Sequence, residues 1–560
     1  MRKHYETILR DSDCRVQRFL EVQILEESSP FFGGFPKADS LAEPKTAIYR
    51  ATTMTACLLN PESRYYLDEE LDRRVRLALA FVRRSQRPGG YFDLINCNFY
   101  SGPDTAFCAK RLLPAYVYLR KVTEGTLPAA EPVCALARTL LPLYEEILQD
   151  AAEALTHCGF HTPNHRWAIA SVLMLCAVLF DKPACREAAQ AILREGNDCN
   201  GDGEYAERSA GNYNRINNDA MITLAVATGD KTYYEPVLRN LEMMLTYLDP
   251  DDSIFTSNST RWDRGRKIYP REYYLEYLYM GYTCDRPDLL DAANAIMEMV
   301  DRHHLRSFDC LIQLMLQPQL IELEHETSGA PQQYHKFYEG SGIVRCRRGD
   351  WSYTLLNNSP TFLFFQHGDF CLNLRIGASF CEHRNFVPET LAPRPQGGYA
   401  LHQTMTGWYY LPFAEAPATS DWWQMDHSKR QKLYGPDMVF DVTVEEVENG
   451  LDVHIVNTGI DRAPLRVELA FDAGCRVETE SFTLEGNDGG GVVVKQGTLT
   501  ASKGTHAIQV GPCFGAHNYT AGKEGSLGRV EGCFTAYLTD YSCFTHTLSL
   551  RALPSRYDQG

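Results

Sequence analysis

Two polar segments run straight into apolar helices in the first half of this 560-residue chain, and their side chains are the ones equipped for chemistry. The first is Thr162-Pro163-Asn164-His165-Arg166-Trp167, ahead of the apolar run 168–180. The second, about fifty residues on, holds Asp202, Gly203, Glu204, Tyr205, Glu207, Arg208, Ser209, Asn212, Tyr213 and Arg215, ahead of the apolar run 220–227. Amide, imidazole, guanidinium and phenol groups at helix mouths pack poorly but suit chemistry on an acidic sugar. Cleaving next to a sugar acid by elimination requires the carboxylate to be neutralised so that the weakly acidic C5 proton can leave. Asn, His or Arg can stabilise the charge that develops. A base then takes the proton and an acid protonates the departing oxygen, roles that Tyr and His fill without a metal. A tyrosine base needs cations nearby, and Arg208 and Arg215 lie close to Tyr213 in sequence.

Each of these residues has a plainer reading. Asn164 is a ready helix cap for a helix beginning at Arg166. Arg208 is a natural ion-pair partner for Glu204 or Glu207, and Asp202-Gly203 reads as a tight turn. Tyr205 competes with Tyr213 as proton donor. The Gly-Asn-Tyr-Asn setting favours Tyr213, because it leaves that ring less suited to a core.

The elements that must position these residues follow from periodicity. Apolar residues recur at three- and four-residue steps in 71–82, 133–147, 168–179, 220–227, 237–248 and 289–300, which predicts helices. The turns at Asp181, Asp230 and Asp285 recur roughly every fifty residues. Each pairs an Asp cap with a helix start, as stacked helical hairpins closing into an (α/α) toroid would require. The non-helical stretches 89–104 and 255–270 would cluster at one rim. After residue 334 the texture becomes short β-branched and apolar segments separated by turn residues, such as 342–346, 353–356, 370–374, 451–456 and 465–469. Strands without intervening helices predict an antiparallel β-sandwich. The expected division is an α domain over 1–328 and a β domain over 334–560, with the boundary near 326–333.

With these residues in place, the chain resembles the heparinase-type (heparinase II/III-like) polysaccharide lyases. The resemblance rests on Asn164-His165 before a long apolar helix, Asp202-Gly203, Glu207-Arg208-Ser209, and a Tyr213 flanked by Asn. It implies a catalytic (α/α) toroid followed by a β-sandwich, and β-elimination on a uronic-acid glycan. Asn164 and His165 would neutralise the carboxylate and Tyr213 would transfer the proton. Arg166, Arg208, Asn212, Arg215 and Tyr205 would help to hold the sugar. A β-domain histidine also enters the cleft in such enzymes. His402 is carried as that candidate, although His367 and His383 compete with it. Pro163 stands where family members often carry a further Asn. No organic cofactor is implied. Some relatives carry a structural metal in the β-domain, for which no ligand spacing here identifies a site.

Two other classes compete. A toroidal glycoside hydrolase acting on uronic-acid glycosides would use Asp202, Glu207 or Asp104, with Glu204 and Asp219 in reserve. A non-catalytic glycan binder would use Trp262, Trp408, Trp422 and Trp423 as stacking platforms. Trp422 and Trp423 on a strand would point to opposite faces.

Bulk properties narrow the partners. A formal net charge of −17 argues against nucleic acid and anionic membranes but leaves an acidic oligosaccharide or polysaccharide open, since local Arg can reverse the field in a cleft. Eighteen scattered cysteines without a C-x-x-C pair read as buried thiols in a reducing compartment, and no apolar leader is visible, so the expected address is cytoplasmic. No segment reaches transmembrane length.

Overall fold

The computed structural model describes residues 1–38 and 41–554, which form two compact units. The first comprises Met1–Leu245 and Ile254–Ala330, and the second comprises Thr246–Ser253 and Pro331–Gly560. The chain therefore leaves the helical unit after residue 245 and returns at 254, an excursion that a single cut near residue 330 does not anticipate.

The first unit is built from helices α1 (Arg2–Val22), α2 (Pro44–Leu59), α3 (Glu69–Ser85), α4 (Gly102–Thr123), α5 (Glu131–Thr156), α6 (Pro163–Leu179), α7 (Pro183–Leu193), α8 (Tyr213–Thr228), α9 (Tyr234–Leu245), α10 (Tyr274–Thr283), α11 (Pro287–Arg302) and α12 (Leu311–Leu316). The apolar periodicities noted above fall on α3, α5, α6, α8, α9 and α11. The turn repeat needs correction. Only Asp230 caps, accepting from the Thr232 N–H. Asp181 and Asp285 instead adopt left-handed φ values of 51° and 52°, closing one helix just before the next. Asp tolerates that region because its short side chain bonds locally. The following helices begin with Pro183 and Pro287 at their first positions, where the missing N–H costs nothing. Among the described residues no helix is long and apolar enough to cross a membrane.

The second unit is two nine-stranded sheets, antiparallel except for the parallel pairing of Gly491–Val493 with Cys533–Tyr541. Strand Tyr399–Tyr410 shows why they stack: Tyr399, Leu401, Gln403 and Met405 point inward and are buried, while the residues between them are less so. Trp422 and Trp423 are not on a strand. They sit in a 3₁₀ turn capped by Asp421, and Trp423 is 90% exposed.

The excursion Thr246–Ser253 is held by Arg345, which is fully buried. Its guanidinium donates to the Thr246 carbonyl at 2.9 Å and to Asp249 at 2.8 Å, and the Ser352 hydroxyl donates to the same carboxylate at 3.0 Å. Removing one side of a buried pair strands the other charge. Arg345→Met is expected to cost this unit about 3–5 kcal/mol. The check is the urea midpoint followed by tryptophan emission, since Trp351, Trp408, Trp422 and Trp423 lie in this unit. An unchanged midpoint would remove Arg345 as the anchor.

Candidate active site

The N-terminal halves of α4, α6 and α8 meet, as their side-chain contacts show. His165 sits edge-on to Phe107 of α4, with ring centroids 5.7 Å apart, and Lys110 of α4 donates to the Ile216 carbonyl of α8 at 3.1 Å. A cavity of about 740 Å³ runs along these helices within the first unit. His165, Asn212, Tyr213, Arg215, Asp104 and Asp219 all contribute to its wall. Two helix mouths separated by about fifty residues thus open on one space.

His165 is the third residue of α6. It packs against Phe160 at 4.9 Å as well as Phe107, and its Nδ1 has no hydrogen-bond partner among the described residues. Burial lowers its pKa below the usual 6.5, and nearby Asp104 opposes the shift without reversing it. The neutral imidazole is thereby favoured, and its unpartnered Nδ1 is buried.

Asn164 is not the cap of α6. The helix starts at Pro163, with Thr162 as N-cap, because Pro suits the first position. The free N–H of Asn164 donates to Glu207 at 2.9 Å, and its side-chain amide donates to both Glu207 oxygens at 2.8 Å. A carboxylate at a helix N-terminus meets the positive end of the helix dipole. Glu207 therefore anchors α6 and is itself 5% exposed. Asn164 is fully buried and absent from the cavity wall, so in this structure it supports its neighbour His165 without reaching the space.

Tyr213 is the first residue of α8, after the N-cap Asn212, and its N–H donates to the Ser209 hydroxyl at 3.1 Å. The loop before it hangs on Asp263, which is fully buried and accepts from Ser209 Oγ at 2.9 Å, the Gly211 N–H at 3.0 Å and Ser259 Oγ at 2.6 Å. Asp263→Ala is expected to leave these donors unmatched, at a cost on the order of 3 kcal/mol. A fall in thermal midpoint together with faster proteolysis within 203–212 would show it, whereas intact protease resistance would contradict it.

The guanidinium of Arg261 lies over the Tyr213 ring at 5.3 Å and pairs with Glu207 at 3.1 Å, linking Tyr213 to the Asn164–Glu207 contact. Sequence reasoning missed Arg261 and Asp263. Both come from the 255–270 stretch, whose run of Arg, Trp and Asp was the available signal.

The other expected residues divide. Arg215 lines the cavity but pairs with Glu272 at 3.0 Å; burial opposes its charge, and Glu272, Glu276 and Asp219 more than offset this. Arg166 pairs with Glu195 at 2.5 Å and lies over Trp167; it is absent from the wall. Arg208 pairs with Glu204 at 3.4 Å, the plainer of its two readings. Tyr205 is fully buried, with its hydroxyl donating to Asn218 at 3.1 Å. Asp202 sits in the turn closed by Gly203, whose φ of 99° and approach to the Arg239 carbonyl admit no side chain. His402 belongs to the second unit, between Asp441 at 2.7 Å and Thr404 at 3.1 Å.

Of the carboxylates proposed for hydrolysis, Asp104 and Asp219 line the cavity, but both are engaged. Asp104 bonds Ser101 at the start of α4 and meets Lys45 at 3.4 Å. Asp219 pairs with Lys110 at 2.7 Å; burial would raise its pKa, yet Lys110 lowers it on balance. The cavity's charge is thus balanced, not cationic overall. Lys45 is its most accessible cation, with a side chain 46% exposed.

In the second unit, His335, Cys346 and Glu446 bring ligand-type atoms within 4.8 Å of one another. They do not fit a metal as arranged. Arg348 already neutralises both Glu446 oxygens, at 2.6 and 3.0 Å, His335 Nε2 is engaged with the Tyr399 hydroxyl, and burial pushes the Cys346 thiol up to about 12.

No protein-family model matches the chain, and no curated protein matches its sequence. Solved structures do match its backbone. Paenibacillus xanthan lyase aligns over 100% of this chain and 59% of its own length, at 8% identity and a TM-score of 0.57. A mutant of the heparan sulfate lyase HepC from Pedobacter heparinus aligns over 97% of this chain and 83% of its own, at 11% identity and a TM-score of 0.50. The fold is that of these polysaccharide lyases. It consists of a helical toroid followed by a β-sandwich, and the chain spans about three fifths of the xanthan lyase. Within this lyase fold the cavity shared by His165 and Tyr213 lies wholly in the toroid.

Proposed function

We propose that this protein is a glycan lyase that cleaves beside a uronic acid by β-elimination. The observation that carries the reading is the meeting of His165 and Tyr213, from different helices, on one cavity, with Arg261 over the tyrosine ring. His165 and Asn212 receive the sugar's carboxylate, Lys45 adds positive charge at the wall, and Arg261 supports the Tyr213 ring from outside it. Asn164, held by Glu207, positions His165. Tyr213 passes the C5 proton to the departing glycosidic oxygen. The C5–H and C4–O bonds break, a C4=C5 double bond forms, and no water is consumed.

A carboxylate-based hydrolase is the weaker reading, because Asp202 and Glu207 are outside the cavity wall and the carboxylates within it are paired or buried. The unpaired cysteines suit a reducing compartment, and the cytoplasm is the address we propose. A panel of uronic-acid glycans, followed by ultraviolet absorbance, tests the reaction. New absorbance from a conjugated, unsaturated product is expected on at least one acidic glycan. Reducing ends released without that absorbance would sink the lyase reading.

A further inference from the structure

The same cavity changes character along its length. Its upper wall carries His165, Tyr213 and Asp104, from the first turns of α6, α8 and α4. Beside and beyond them lie ion pairs: Arg215–Glu272 at 3.0 Å, then Lys110–Asp219 at 2.7 Å and Arg111–Asp309 at 2.7 Å. Further along α4, α6 and α8, and on α10 and α12, the lining includes Val117, Leu175, Ile222, Val226, Tyr279 and Leu316. Tyr213 and Val226 are thirteen residues apart on α8, about 20 Å at the helical rise.

These apolar residues are left uncovered. On each helix the neighbours facing other helices are fully buried, as Leu112, Met174, Leu224 and Leu278 are, while Val117, Leu175, Ile222, Tyr279 and Leu316 are only half-buried and Val226 is 61% exposed. A wall of half-covered apolar side chains inside a helical ring is a binding surface, because closure of the core would have buried them. It is a poor surface for a sugar. The Thr223 hydroxyl donates back to the Asp219 carbonyl at 2.8 Å, and the Tyr279 hydroxyl is engaged with Tyr234 at 2.9 Å. Sugar hydroxyls placed among these apolar side chains would lose their water with few partners to replace it, Gln313 and Gln317 beside Leu316 being the amides that also line the cavity. Beside the ion pairs, Glu276 is 5% exposed and its Oε1 has no partner among the described residues. Burial raises its pKa above the usual carboxylate range, with Arg215 opposing the shift.

We propose that this far end is a subsite for an apolar substituent carried by the same acidic saccharide whose sugar acid is held at His165 and Tyr213. The proposal rests on the lyase reading for the upper end only; the lower end stands on its own lining. The substrate class becomes an amphiphilic acidic glycoside or acylated acidic glycan, with an apolar group threading past the ion pairs.

The test compares methyl, octyl and phenyl glucuronide, with octyl glucoside as the uncharged arm, by calorimetric titration of the full chain. Octyl glucuronide is expected to bind at least tenfold more tightly than the methyl compound, since each buried methylene contributes about fourfold. The phenyl arm tells a ring from a chain. Ile222→Trp and Val226→Trp, which narrow the far end, should reduce the octyl gain to less than threefold and leave methyl glucuronide affinity unchanged. Equal affinity of all three glucuronides for the unmodified protein would overturn the subsite. So would an octyl gain that survives both substitutions. Variant-sensitive binding of octyl glucoside alongside no binding of methyl glucuronide would uphold the subsite and overturn the sugar-acid reading instead.

Discussion

Tyr213→Phe is expected to lower kcat by a factor of about 10²–10⁴ or more while leaving affinity for an acidic glycan within a factor of about three. The substitution removes one hydroxyl and keeps the ring, so the ring's packing under Arg261 survives and α8 still starts at the same residue. An interaction needed only while the proton moves should appear in kcat and in kcat/KM equally. Binding measured on the variant, with turnover followed by ultraviolet absorbance, separates the two effects. Full activity would remove Tyr213 from the reaction. Tyr205 could not inherit the role, because it is fully buried and its hydroxyl is engaged with Asn218. His165 would then be the next proton carrier to test on the cavity wall.

The second large effect is the pH dependence set by His165. Burial lowers its folded pKa below 6.5, so between that value and 6.5 the unfolded chain binds more protons than the folded one. Stability from this group is therefore fully present above about 6.5 and is lost as pH falls toward the folded pKa. Activity that requires the neutral ring should follow the folded value, with kcat/KM falling on an acid limb below 6.5. His165→Gln keeps a side chain able to donate a hydrogen bond but cannot titrate. It should flatten that limb and reduce kcat by about 10²–10⁴. An acid limb unchanged in the variant would assign the titration to another group.

Much of the architecture was legible because it depends on local periodicity. The three- and four-residue spacing of α3, α5 and α11, and the alternation in strands such as Gly450–Gly459, state which face is buried without reference to distant residues. Legibility failed where a local motif has two outcomes. An Asp before a Pro-initiated helix can cap that helix or close the preceding one, and Asp181 and Asp285 do the latter. Asn164 had the composition of a cap, yet Glu207, on the next helical hairpin, takes the free N–H groups.

The sequence by itself determined that polar, proton-handling residues stand at the mouths of two apolar helices, and that helices give way to strands beyond residue 330. Residue type and spacing carry that information directly. Only the tertiary structure decided which of these groups share a space. Helical periodicity orients a side chain toward the ring's interior but does not say which helices complete the ring. Whether Arg215 is free or matched by Glu272, whether Arg261 reaches Tyr213, and whether the interior stays open all depend on contacts between residues far apart in sequence.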